Sequence, residues 1–193
     1  MNRLVGLLLA AGAARRFGSD KLRHALPHGV SIAVQAARHL RPEVPEVIAV
    51  VKPGADRLAS LLEAEGCRIV VCPNADEGMG ASLACAAAAA GQAAGYVVAL
   101  ADMPFVRRST IAAVRDAVAG GAALAAPYFH TRRGHPVGIA GRFFGDLVVL
   151  RGDEGAKALL ARHAGELVKI PVGDPGVVRD IDTPGDLAPR LRV

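Results

Sequence analysis

The sequence predicts a single α/β domain built as three layers, helices on both sides of a mainly parallel mixed sheet. Three observations carry that expectation. Short runs rich in Val, Leu and Ile alternate with longer Ala-rich stretches along the chain, the pattern of strands joined by crossover helices. The breaks between them hold Gly and Pro, which end strands and open helices, and neither a Pro- or Ser-rich linker nor a repeat of fixed period divides the chain. The length, 193 residues, is that of one domain, so residues 1–193 are read as one unit.

The first strand spans residues 4–9, Leu-Val-Gly-Leu-Leu-Leu, apolar throughout as a strand buried on both faces must be. Further strands are expected at 47–51, 68–71, 96–100, 122–126, 136–140 and 167–170, where β-branched or Leu-rich runs recur. Helices fill the gaps. Residues 31–40 follow a Pro27-His28-Gly29 turn, 55–65 follow Pro53-Gly54, and 81–90 follow Gly78-Met79-Gly80. The Ala-rich run at 84–94 is read as a closely packed helix, since Ala is the strongest helix former.

Composition narrows the function classes. The chain is 52% hydrophobic and 21% charged, with a mean hydropathy of +0.32, which excludes a disordered or fibrous chain. Only 4% of residues are aromatic and Trp is absent, so a surface that stacks nucleic-acid bases on aromatic rings is disfavoured. The net charge is +5, and over residues 1–42 Arg3, Arg15, Arg16, Lys21, Arg23, Arg38 and Arg41 face a single acid, Asp20. That asymmetry suits a small anionic ligand at least as well as a polynucleotide, with a solvated basic face as the alternative. Cys67, Cys72 and Cys85 form no C-x-x-C pair and are read as reduced thiols in or near the core. The apolar run at 4–14 is too short to span a bilayer, and no targeting segment is read at the N-terminus, so a cytoplasmic protein without a membrane partner is expected.

Two segments can carry chemistry. The first strand runs directly into Leu9-Ala10-Ala11-Gly12 and then Arg16 and Lys21. Small residues after a buried strand let backbone N–H groups approach an anion, and the two cations supply opposing charge. The spacing fits neither the Walker A loop nor the dinucleotide fingerprint, for which Gly12 and Gly18 are wrongly placed. The second segment is the strand at 96–100, which ends in Asp102 at the sheet edge where open α/β folds bind ligands. A further acidic segment, Asp180-Ile181-Asp182, precedes a helix start. Two carboxylates from distant segments can hold Mg²⁺ with phosphate oxygens completing its shell. Asp180 and Asp182 alternate, so only one faces the site directly.

At these residues the chain resembles a known family. "LAAGAARRFGSDK" is similar to the L-A-A-G-x-x-x-R-x-G-x-x-K signature of nucleotidyltransferases that place a nucleoside monophosphate on a phosphorylated acceptor. With "EGMGASL" (77–83), "LADMPFV" (100–106), "GHPVGI" (134–139), "RGDEGAKALL" (151–160) and "RDIDTPGDL" (179–187), the set resembles the molybdenum cofactor cytidylyltransferases. Ala14 departs from the Ser that many members carry, and 72–77 lacks the usual Asn-Pro-x-Trp pattern.

The resemblance implies a Rossmann-like nucleotidyltransferase fold and a Mg²⁺-dependent transfer of CMP from CTP to molybdopterin, molybdenum-loaded, with release of pyrophosphate. It implies that Leu9, Ala10, Ala11, Gly12, Gly80 and Ser82 line the nucleotide. Arg16, Lys21 and Asp102 would be catalytic and nucleotide-binding, Asp102 and Asp182 would hold Mg²⁺, and His135 and Pro136 would face the acceptor. A recipient molybdoenzyme or its maturation factor is a further expected partner. Guanylyl transfer to the same cofactor or a related phosphorylated metabolite, and a non-catalytic carrier of the finished cofactor, are the alternatives.

Overall fold

Strand β1 (Leu4–Leu9) sits between β2 (Glu46–Val51) and β4 (Gly95–Leu100) and is parallel to both. The computed structural model describes residues 3–12, 17 and 20–187. Beyond β2 lies β3 (Arg68–Val71), also parallel. On the other side the direction reverses: β7 (Val137–Ala140) runs antiparallel to β4, and β5 (Leu124–Phe129) antiparallel to β7. The two-residue β6 (Arg132–Arg133) and the parallel β8 (Leu167–Pro171) complete the pairing of β5. The expected single α/β/α domain with a mainly parallel mixed sheet is what forms.

Six α-helices are described: α1 (Ile32–Leu40), α2 (Asp56–Ala64), α3 (Met79–Ala90), α4 (Arg108–Ala119), α5 (Phe144–Val148) and α6 (Lys157–Arg162). The period-2 alternation of the strands splits the core between them. Leu8, Ala10, Val47, Ala49 and Val97 face the layer of α1, α2 and the start of α4. Val5, Leu7, Leu9, Ala11, Ile48 and Val98 face α3, α5 and α6. Leu7 and Leu8 are fully buried on opposite faces, each burial stabilising the fold by roughly 1.5–3 kcal/mol.

Helix α3 owes its position to small residues. Leu83, Ala86, Ala87 and Ala90 are buried against the sheet, and their short side chains bring the helix close to β1 and β2. Its start is shaped by two glycines. Gly78 has φ +123°, which L side chains rarely adopt, and a Cβ there would lie 2.6 Å from Gly152 C. A Cβ on Gly80 would lie 2.8 Å from both Arg151 C and Gly152 O, while the Gly80 amide donates to Gly152 O at 2.6 Å. The segment 151–153 therefore rests directly on the first turn of α3.

All seven strands expected from the sequence form, with β5 reaching Phe129 rather than stopping at 126. The short helices α5 and α6 and the strand β6 carry too few residues for a periodic signal. No helix among the described residues is long and apolar enough to cross a membrane.

Candidate active site

The chain leaves β1 and β4 at the same sheet edge, and their ends stay hydrogen-bonded past the strands. Ala10 donates its N–H to Val50 O at 2.9 Å, and Ala101 donates to Leu9 O at 3.0 Å. Asp102 follows at once. Its carbonyl accepts the Ile181 N–H at 3.0 Å, which ties the 180–182 segment alongside. Ile181 is fully buried, so the flanking acids diverge: Asp180 is exposed and Asp182 turns inward.

Asp182 is held from behind by Asp186. The Asp186 carboxylate accepts the Asp182 N–H at 3.2 Å, and the Thr183 N–H and hydroxyl at 2.8 Å each. Across from these acids a 3-10 turn (Lys21–Arg23) presents Lys21, only 7% exposed. Its Nζ donates to Asp102 Oδ2 at 2.9 Å and to Asp182 Oδ1 at 3.1 Å. Burial pulls the Lys21 ammonium towards deprotonation, but the charges and hydrogen bonds of Asp102 and Asp182 outweigh it and leave its pKa raised above 10.5. Lys21 is thus a fixed positive charge and no base at neutral pH.

These three residues line a cavity of about 460 Å³. The ends of β1 and β4 add Leu9, Ala11, Gly12 and Leu100, and the segment leading into α3 adds Asp76, Gly78, Met79 and Ser82, with Asp153 beside Gly78. A volume of this order suits a nucleotide-sized ligand. Among the described residues no three His, Cys, Asp or Glu side chains converge as a metal centre. Asp102 and Asp182 offer the two carboxylates with which Mg²⁺ commonly starts its shell, leaving room for water and phosphate oxygens. The donor chemistry therefore fits a hard divalent cation.

Of the residues expected at the site, the cavity gathers Leu9, Ala11, Gly12, Lys21, Ser82, Asp102 and Asp182. Ala10 faces the opposite core and has its N–H committed to Val50. Gly80 is buried under the 151–152 backbone, supporting the cavity wall without lining it. Arg16 lies outside the described residues, as does Ala14.

His135 and Pro136 line a different, much smaller cavity of about 10 Å³, with His39, Met103 and Leu100 among its walls. Leu100 is shared with the large cavity, so the pair packs one layer behind it. Burial, assisted by the nearby Arg133 charge and opposed by Asp180, pushes the His135 pKa down to about 4. Its imidazole is neutral at physiological pH.

Sequence reasoning assigned no role to Asp76, Met79 and Asp153 of the cavity lining or to Asp186 behind Asp182. Asp153 does lie within the quoted "RGDEGAKALL" segment, which was its only available signal.

A Rossmann-like α/β/α sheet with Lys21 held between Asp102 and Asp182 beside the ends of β1 and β4 is a protein of the nucleotidyltransferase fold. The chain belongs to the family described as MobA-like NTP transferase domain, matched over residues 6–167. It is 31% identical over 189 residues to nicotine blue oxidoreductase of Paenarthrobacter nicotinovorans, covering 93% of this chain and 92% of that one. Among solved structures it is similar to Rv0371c of Mycobacterium tuberculosis H37Rv, with a TM-score of 0.84, 25% identity and coverage of 96% and 95% of the two chains. A manganese complex of Rv0371c superposes with a TM-score of 0.80 at 24% identity, covering 96% of each chain. Molybdopterin-guanine dinucleotide biosynthesis protein A of Archaeoglobus fulgidus shares the fold, with a TM-score of 0.67, 20% identity and coverage of 95% and 94%.

Proposed function

We propose that this protein transfers CMP from CTP to molybdopterin in its molybdenum-loaded form, releasing pyrophosphate and leaving the cytosine dinucleotide form of the cofactor. The observation that carries nucleotidyl transfer is Lys21 held between Asp102 and Asp182 in the lining of a nucleotide-sized cavity. The terminal phosphate of the pterin attacks the α-phosphorus in line, and the bond from that phosphorus to the bridging oxygen of pyrophosphate breaks. The nucleophile is already an anion at neutral pH, so no general base is needed. Positioning and charge neutralisation supply the rate, as in phosphoryl transfer generally.

Asp102 and Asp182 would hold Mg²⁺, which when bound neutralises phosphate charge and orients the leaving group. Lys21 and, in this reading, Arg16 add positive charge along the triphosphate. The Ala11 and Gly12 backbone and Ser82 border the nucleotide. His135 and Pro136 act on the acceptor side indirectly, by packing behind Leu100.

The choice of base rests on the resemblance, in which Ala11 rather than Gly in the first motif favours cytidylyl transfer. Guanylyl transfer is the second reading, favoured by the name of the Archaeoglobus fulgidus protein. A carrier without catalysis is disfavoured because it has no use for the Lys21, Asp102 and Asp182 arrangement. The relative named an oxidoreductase suggests redox chemistry, but the β1 turn lacks the glycine spacing of a dinucleotide fingerprint.

Calorimetric titration with CTP and with GTP, each with and without Mg²⁺ at fixed salt, tests the reading. Pyrophosphate release is then followed after adding molybdopterin. Mg²⁺-dependent CTP preference with turnover is expected; GTP preference moves the assignment to guanylyl transfer, and absence of nucleotide binding overturns both.

A further inference from the structure

The lining of the large cavity falls into two groups. Lys21 with Asp102 and Asp182 makes one, and the start of α3 with Asp153 packed against Gly78 makes the other; the transfer reaction gives the carboxylates of Asp76 and Asp153 no task. A triphosphate belongs at the lysine, and these two acids repel it. A nucleotide entering the cavity is thereby oriented with its nucleoside towards Met79, Ser82 and Asp153.

Two side chains stand out in the second group. Met79 is 40% exposed, one of the few large apolar side chains so placed among the described residues, and it is the one lining the cavity. The Asp153 carboxylate lies where a Cβ on Gly78 would come, at the first turn of α3. Its position is set by packing. Gly78 and Gly80 admit the 151–153 backbone against α3, and the Met79 thioether lies against Gly155 of the same loop. An apolar surface with a carboxylate held at its rim suits the face and edge of a nucleobase. A ribose diol has no use for the apolar half.

We propose that Asp153 is the base-reading residue of this site, accepting a hydrogen bond from the exocyclic amine of an amino-bearing nucleobase whose face lies on Met79. A carboxylate accepts only, so it favours a base with an exocyclic amine, such as cytosine or guanine, over one that offers a carbonyl oxygen in the same place. Gly78 and Gly80 are the positions that let the reader approach. This inference rests on the nucleotidyl-transfer reading and names the class of nucleotide that reading would use.

The test is equilibrium binding of matched nucleotides to the full chain with Mg²⁺ at fixed ionic strength. CTP is paired with UTP and GTP with ITP, each pair differing by the amine, and dCTP and dGTP report on the ribose. For whichever base the protein takes, the amine-bearing member should bind about 10- to 100-fold tighter, the span expected of a hydrogen bond to a charged group. Asp153→Asn should bring that ratio to within about threefold while leaving the ribose-to-deoxyribose ratio in place, since an amide accommodates either base edge. Met79→Ala should weaken both members of a pair together. An unchanged amine ratio in Asp153→Asn overturns the assignment, and so does a shift confined to the deoxyribose ratio, which would make Asp153 a ribose ligand. Absence of binding by any of the nucleotides strikes instead at nucleotidyl transfer itself. Thermal melting of each variant separates loss of fold from loss of discrimination.

Discussion

The amide of Ile181 donates to the carbonyl of Asp102 at 3.0 Å, and this single backbone bond joins the end of β4 to the acidic segment near the C-terminus. It sets the buried Ile181 as a pivot, so that Asp182 turns to Lys21 and Asp180 turns to solvent. The first two predictions follow from that arrangement.

Asp102→Asn removes one of the two charges beside Lys21 while Lys21 keeps Asp182 as partner. Turnover should fall about 10²- to 10³-fold, the usual cost of removing one preorganised electrostatic group. Stability should fall by only about 1 kcal/mol, a few degrees in Tm. Steady-state pyrophosphate release beside a thermal melt checks both; unchanged turnover would sink the role of Asp102.

Asp186→Ala leaves every group that would touch substrate in place but frees the Asp182 and Thr183 amides from their shared acceptor. Loss of a supporting partner of this kind lowers metal affinity by about 10- to 100-fold. The Mg²⁺ concentration for half-maximal turnover should rise by at least tenfold, while kcat at saturating Mg²⁺ stays within about threefold. An equal loss of kcat at all Mg²⁺ concentrations would mean that Asp186 does something other than hold Asp182.

His135 gives the fold an acid sensitivity. Its pKa is lowered from 6.5 to about 4 in the folded protein, so the unfolded chain takes up this proton first as pH falls. The stability it contributes is complete above about pH 6.5 and is lost as pH drops through 4, an amount on the order of 3 kcal/mol. Urea denaturation of His135→Gln at pH 7 and at pH 4 should show a smaller acid loss than the parent by about that much. Parallel losses in both proteins would place the acid sensitivity elsewhere.

Gly80→Ala forces a methyl group to within 2.8 Å of the Arg151 and Gly152 backbone. Overpacking of this kind costs about 1–3 kcal/mol. Because the displaced loop carries Asp153 into the cavity, nucleotide affinity should fall about tenfold even where the variant is fully folded. Calorimetry at a temperature well below its melt provides the comparison.

The sheet was legible because β1, β2 and β4 are uninterrupted apolar runs, and a strand buried on both faces cannot be written otherwise. The approach of Asp102 and Asp182 was legible in outline, as two carboxylates following distant apolar stretches, whereas the ion pairs of Lys21 with both of them were not. The pairing of Ala10 with Val50 was not, since it depends on how far β1 and β2 stay in register beyond the strand. The role of Asp186 was hidden because its partners are mainly backbone amides, which leave no residue signature. Asp153 was hidden for a different reason: it reaches the cavity only through contact of its loop with Gly78 and Gly80, a tertiary fit between segments distant in sequence. His135 and Pro136, expected to face the acceptor, line a smaller cavity that shares Leu100 with the large one.

The reversal of β7 gives this edge an unusual freedom. Because β7 runs against β4, with Val137 opposite Val98, the chain arrives at the site through the 130–136 hairpin just before entering the sheet. The turns after β1, β4 and β8 leave the sheet there, so one entrance stands among several exits. An insertion into that entrance leaves every β7 register pair in place, whereas a one-residue slip inside β7 turns Val137 and Ile139 away from their core. The hairpin can thus change length while the register that aligns β4 with β1, and with it Asp102, stays fixed.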